Sequence, residues 1–502
     1  MADPLRPLDP SLFDYWCAQH LLNRAGFGGT PSQVRALANM GLSKAVDSVV
    51  NYEAIEADPV QTDLFDKDIM QPRSRSARLA IQRARERGDE AALAEARRRR
   101  QERQRADRAQ FGELRRWWLR RMIETPRPLE EKMTLFWHGH FATGYRAIED
   151  SYHMLMQNEL FRRHAVGNFS LLVHGIIRDP AMLRYLNNDQ NRKEKPNENL
   201  ARELMELFTL GEGNEYTEDD IKHGARALTG YTFEDDSFVD LSSRRYRRLH
   251  DDGLKRILRA IGHFDGDDFV RIILSRPSCS RFICWKLYRF FVNDLPGEPN
   301  ESARAVIIDL AKLFRRSKYE LKPVLRTLFA SEHFFEPANT ASLIKSPIQL
   351  IVQAIRSLQT PARNIGVLLR SADRMGQSLF LPPSVKGWEG GRSWINTSTL
   401  FIRQNLLFYL LTGHRPDRHG WQTHGEPFDA VHLIDHLRAP DGEVDTREAV
   451  TYLLWFNFGR EPDTTRVDTL VRAVRNRGNR LDNDTLIHLL ALITASPEYQ
   501  LC

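Results

Sequence analysis

Between Pro196 and Gly211 the chain reads PNENLARELMELFTLG, a stretch that no single environment can satisfy. Pro196 and Asn197 form a start signal, with Asn197 placed to cap a helix beginning at Glu198. Leu200, Leu204, Leu207 and Phe208 recur at helical spacing as an apolar face, and Gly211 supplies the stop. Asn199, Glu203 and Glu206 sit at i, i+4 and i+7, so they share an adjoining polar stripe with Arg202 beside it. Carboxylates that close to a buried face need a cation, a metal or a proton. This helix is therefore the expected centre of any site.

Helical periodicity runs through the rest of the chain, and no regular strand-turn-strand pattern interrupts it. The expected fold is an all-α, multi-helix globular array with at most one small hairpin near 232–250. Four parts are expected within the 502 residues: an N-terminal helical part over 1–71, an Arg-rich helical hairpin insertion over 72–122, a main helical core over 123–412, and a C-terminal helical subdomain over 413–502. Thr30 and Pro31 start a helix after the turn GFGGT, which lacks the lysine of a phosphate-binding loop and reads as a tight helix-helix turn. The hairpin breaks near Gly88–Asp89 and carries the block Arg97 to Arg100. Acidic residues are mixed into it, and aromatic residues are absent until Trp117–Trp118, so nucleic acid is not the expected partner. Cys17, Cys279, Cys284 and Cys502 lack the spacing of a disulfide framework or a zinc site. The start MADPLRPLDPSLFDYW has no signal-peptide pattern, and no apolar run reaches the ~18 residues of a membrane span. A cytoplasmic protein with no membrane association is the expectation.

Two further stretches bear polar or aromatic groups in informative patterns. In PLEEKMTLFWHGHFATG, His138 and His140 flank Gly139. On an unbroken helix they would point about 200° apart, at ~100° per residue. They converge only if the backbone opens at Gly139, and they would then make a metal or acid–base pair. Between Leu381 and Asn396, two prolines, several glycines, Trp388 and Trp394 define a structured loop whose indole faces can stack on sugars or cations. Arg403 opens the helix that follows.

The segments AQHLLNRAGFGGTPSQVRAL, KMTLFWHGHFATG, QNELFRRHAVGNF, NENLARELMELFTLGEGNEYTEDDIKHGARALTGY, LFLPPSVKGWEGGRSWINTSTLFIRQN and ITASPEYQLC resemble, in order, the bacterial family catalogued as domain of unknown function eighteen hundred. The resemblance implies a mostly helical protein, often encoded beside a sulfatase-like partner. The family's recurrent polar residues would fall here on His20, Arg24, His138, His140, Asn199, Arg202, Glu203 and Glu206. Many members are exported, a pattern from which the start of this chain departs.

Three readings follow. In the first, the protein is a metal-dependent hydrolase or oxidoreductase acting on an anionic or saccharide-like substrate. His138, His140, Glu203 and Glu206 would hold a divalent zinc, iron or manganese ion. Glu203, Arg202, His20 and Arg24 would serve catalysis, and Asn199, Trp388, Trp394 and Arg403 would hold the substrate. In the second, Glu203 or Glu206 works with His138 as a metal-free acid–base pair. In the third, the Glu/Arg/His cluster is a structural ion-pair network, and the protein is a helical scaffold for a partner.

Overall fold

The computed structural model describes residues 3–58, 62–71, 75–234, 236–295, 297–417, 420–423, 427–440 and 442–502. Helices dominate, and the strands among the described residues are three short antiparallel pairs. Phe233–Glu234 with Ser237–Phe238 is the small hairpin expected near 232–250, and Lys255–Ile257 with Ala260–Gly262 is a second pair just after it. The third pairs His414–Asp417 with Gly420–Thr423. No helix among the described residues is long and apolar enough to cross a membrane.

Local chemistry sets the helix ends. Thr30 with Gln33 and Thr217 with Asp220 form capping boxes, and Ser346 caps the helix Pro347–Leu358. Asn197 Oδ1 accepts from Asn199 N–H at 3.0 Å, which places the start of the next helix at Asn199 rather than Glu198. Asp265 forms a further capping box, with Asp268, at the start of the helix Gly266–Leu274.

The hairpin forms from Arg75–Arg87 and Glu90–Glu124, with Gly88 at φ +65° between them. Its second helix has two lives. Arg97 to Arg100 stand exposed, braced by Glu95, whereas Phe111, Leu114, Trp118, Leu119 and Met122 enter the core. The four parts expected from sequence contribute to one contiguous apolar core that runs from Leu8 to Tyr499. The N-terminal helix Tyr15–Ala25 reaches the last subdomain directly: Trp16 stacks on Trp455 at 4.2 Å, and Gln19 donates to the Phe456 carbonyl at 2.6 Å.

The helix Pro128–His140 lies at the middle of this core and is buried all round. It brings three consecutive charged residues inside, Glu130, Glu131 and Lys132. Glu131, fully buried, accepts from Arg121 Nε at 2.6 Å, Arg162 Nε at 2.7 Å and Trp118 Nε1 at 2.9 Å. Four helix turns from three helices are thereby locked in register. Burial alone would raise the Glu131 carboxyl, but Arg162 and Arg121 outweigh it and hold it below the usual glutamate range.

A group depressed in this way stabilises the fold above its unfolded pKa and loses that contribution as pH falls through its folded value. Glu131→Gln should therefore lower stability by about 3 kcal/mol or more at pH 7, the scale for breaking a buried pair. Urea midpoints should show this gap narrowing as pH falls below about 4, from the unfolded glutamate value down through the depressed folded one.

Candidate functional site

The helix Pro128–His140 continues through Gly139, so the expected backbone opening there does not occur. His138 and His140 consequently leave on different sides. His138 is 1% exposed; its Nε2 accepts from Phe380 N–H at 3.0 Å, among the rings of Trp118, Phe161, Phe380 and Trp388. His140 Nε2 is 2.9 Å from the Phe208 carbonyl oxygen. A carbonyl only accepts, so this contact fixes the Nε2–H tautomer and leaves Nδ1 as a buried lone pair without a protein partner. Burial pulls both imidazoles down to about 3, with Lys286 adding to the effect at His140. Both rings are neutral near pH 7.

Gly139 serves another purpose. Gly387, at φ +76°, lies so close that a Cβ there would sit 2.0 Å from the Gly139 carbonyl oxygen. A Cβ on Gly139 would in turn face the Trp388 ring at 3.8 Å. The glycine between the histidines is the seat on which the Trp-bearing loop rests.

The acidic stripe lies elsewhere. Asn199 is exposed, and Glu203 and Glu206 are half-buried at the surface. Arg202 spans Glu198 at 3.1 Å, Glu206 at 3.6 Å and Glu218 at 2.7 Å. Burial and then Glu206 raise the Glu203 carboxyl, with Arg202 and Lys386 opposing. Among the described residues, no three His, Cys, Asp or Glu side chains gather as a metal ion requires. The four ligands expected for zinc, iron or manganese are thus not brought together. One imidazole nitrogen is tied to Phe380, another to Phe208, and Glu206 to Arg202, so these residues do not fit a divalent ion. The helix Asn199–Glu206 still touches the site, because Phe208 just beyond its end positions His140.

His20, Arg24 and Arg403 are buried and bonded to backbone. His20 Nε2 donates to the Phe334 carbonyl at 3.1 Å. Arg24 donates to the Val292 carbonyl at 2.9 Å and the Asn339 carbonyl at 2.5 Å. Arg403 donates to the Lys345 carbonyl at 2.8 Å and to Gln500 Oε1 at 3.3 Å. Burial holds both guanidinium groups at about 10.

What the fold does assemble is a cavity of about 200 Å³. The last turns of Pro128–His140, the helix Pro277–Phe291, the start of Pro347–Leu358 and the loop through Trp394 enclose it. His140, Trp388 and Trp394 line it, as do three lysines that the sequence reading passed over, Lys132, Lys286 and Lys345. Lys132 is hydrogen-bonded to Gln349 Oε1 and lies 5.4 Å from the Phe290 ring centre. Lys345 donates to the Tyr499 carbonyl at 2.7 Å and sits 4.0 Å above its ring. Lys286 sits 5.5 Å from the centre of the Phe282 ring. No Asp or Glu carboxylate among the described residues pairs with any of the three; an acidic group at Cys502 acts on Lys132 and Lys345. Burial, the largest influence, pulls each amine from its ordinary 10.5 to about 8. Two further cations at the cavity have carboxylate partners, Arg289 in Asp294 and Lys386 in Glu212 at 2.8 Å. The legible signal was a basic residue set inside an apolar or aromatic run, as in EEKMTLFW, FICWKLYRFF and SLIKSP.

An all-helical chain around a cation-lined cavity is the class that this geometry defines. The chain belongs to the protein family of unknown function DUF1800, whose profile matches residues 20–501. No curated protein and no solved structure matches it.

The loop seat gives a direct test. Gly387→Ala meets both an unfavourable φ and the Gly139 carbonyl, whereas Gly213→Ala, at φ +72° with nothing within 4 Å, meets only the backbone term of about 1 kcal/mol. Gly387→Ala should lower the melting temperature more than Gly213→Ala and shift the tryptophan fluorescence, which Gly213→Ala leaves unchanged.

Proposed function

We propose that the cavity beneath the Trp388–Trp394 loop is an active site for an anionic, saccharide-like substrate. The observation that carries this reading is the set of three lysines that face one cavity without an Asp or Glu partner. Burying a cation is costly, and the acidic group at Cys502 eases that cost at Lys132 and Lys345 but not at Lys286. A bound carboxylate, phosphate or sulfate would supply the counter-charge that Lys286 lacks and add to that of Cys502 at the other two. The walls add a second kind of recognition. Trp388 Nε1–H and His140 Nδ1 are a buried donor and a buried acceptor without protein partners, the two roles that sugar hydroxyls fill. Trp388, Trp394 and Phe136 offer the apolar faces on which a sugar ring packs.

This is a metal-free reading, and it assigns the stripe of Asn199, Arg202, Glu203 and Glu206 to the surface beside the site. It shares the anionic, saccharide-like substrate of the first sequence-based reading and differs from it in the groups that do the recognition. The buried ion-pair role of the scaffold reading falls to Glu131, on the opposite end of the same central helix.

The charge state supplies the test. The amines are cations below about pH 8 and lose their protons above it. Calorimetry with glucuronate, glucose, inorganic phosphate and sulfate should show binding by the anions and not by glucose. Affinity should fall as pH rises from about 7 to 9, by up to roughly tenfold per unit for each amine that must stay protonated. Lys345→Met should weaken binding at pH 7. Anion binding that is flat across this range, or equal binding of glucose, would remove the proposal.

A further inference from the structure

The three cavity lysines are not equivalent. Lys132 is held by Gln349 and Lys345 by the Tyr499 carbonyl, so each amine is already committed to a protein acceptor. Lys286 has no hydrogen-bond acceptor among the described residues; its neighbours are the Phe282 ring at 5.5 Å and the Trp285 ring at 5.9 Å. Arg289, one turn further along the same helix, is a fixed cation held by Asp294. An amine among apolar rings and next to a permanent positive charge is the arrangement in which lysine sheds its proton and becomes a nucleophile. His140, which Lys286 helps to hold neutral, lines the same cavity, and its buried Nδ1 has no protein partner.

We propose that Lys286 is a nucleophile that forms an imine with the carbonyl carbon of an anionic substrate, such as a 2-oxo acid or the open-chain form of an acidic sugar. The inference rests on the anion-binding reading of this cavity and adds the reactive group. In the step, the neutral Nζ of Lys286 donates its lone pair to the carbonyl carbon, and the carbonyl π pair moves onto oxygen. One proton passes from nitrogen to that oxygen, giving a carbinolamine. Loss of water then leaves the C=N bond, so amine plus carbonyl give imine plus water with no oxidant or reductant. His140 Nδ1 is an acceptor for the carbinolamine hydroxyl proton. Lys132 and Lys345 hold the anionic end, and burial, with Arg289 second, keeps the attacking amine unprotonated in a useful fraction. With its amine at about 8, Lys286 is roughly one-tenth neutral at pH 7, against far less than one part in a hundred for an ordinary lysine.

Pyridoxal 5′-phosphate, which joins an aldehyde to a phosphate, is a suitable probe for the intact protein. Incubation at low probe concentration, reduction with borohydride and peptide mass mapping should place the adduct on Lys286 ahead of exposed lysines such as Lys44 and Lys193. Excess inorganic phosphate should suppress it. Lys286→Arg should abolish the adduct while its near-UV circular dichroism and melting temperature stay those of the wild type, which shows that the variant is folded. Labelling that favours the exposed lysines, in protein that binds phosphate normally, would overturn the nucleophile and leave the anion site standing. A Lys286 adduct indifferent to phosphate would support the nucleophile and overturn the anion reading.

Discussion

A single carboxylate, that of Glu131, sets the terms for the rest of the molecule. It sits in the interior with Arg121, Arg162 and Trp118 turned toward it, and those partners come from two helices other than its own. A buried ion cluster of this kind adds little to net stability compared with an apolar core of the same shape, but it punishes any shift in register. Pro128–His140 is thereby fixed in rotation and translation. Lys132 follows Glu131 in sequence, and His140 lies two turns further on. The orientation of the cavity floor is in this sense decided at the other end of the helix.

The cavity itself stands in an opposite energetic relation to the fold. Amines drawn down to about 8 by burial disfavour the folded state near neutral pH, because the unfolded chain holds their protons more tightly. That liability eases as pH rises from about 8 toward the ordinary lysine value. The apolar core running from Leu8 to Tyr499 is large enough to carry such a burden. Electrostatic strain concentrated in one walled space, with aromatic sides and unpaired polar atoms, is the usual signature of a place built to receive something.

Much of the architecture was legible in the sequence because local signals and tertiary demands agreed. The helix start at Thr30 and Pro31 and the break at Gly88 read correctly, whereas the helix of the central stretch stops at Glu206, short of Gly211. The Trp388–Trp394 loop, chosen for its aromatic faces, does line the cavity. The site was less legible, for a physical reason. Glu203 and Glu206 drew attention because they lie beside an apolar face, yet a helix of eight residues at the surface can neutralise its carboxylates with a neighbouring Arg202. Pro128–His140 has no polar side to betray it. Its period carries no contrast, so Glu131 and Lys132 read as ordinary helix formers although both are buried. Gly139 misled for a related reason: a glycine inside a helix can signal a break or a close approach, and only the distant Gly387 shows which.

The glycine contacts of the loop also bear on how such a site can change over time. Gly387 rests on the Gly139 backbone, and a Cβ on Gly391 would fall 1.6 Å from Asp294 Oδ2. Trp388, Glu389 and Gly390 hang between two anchors that no side chain can occupy. Substitutions confined to that short span would alter what the cavity admits without disturbing how the loop is moored. The arrangement separates the lining of the cavity from the mooring of the loop, so that the one can change while the other stays.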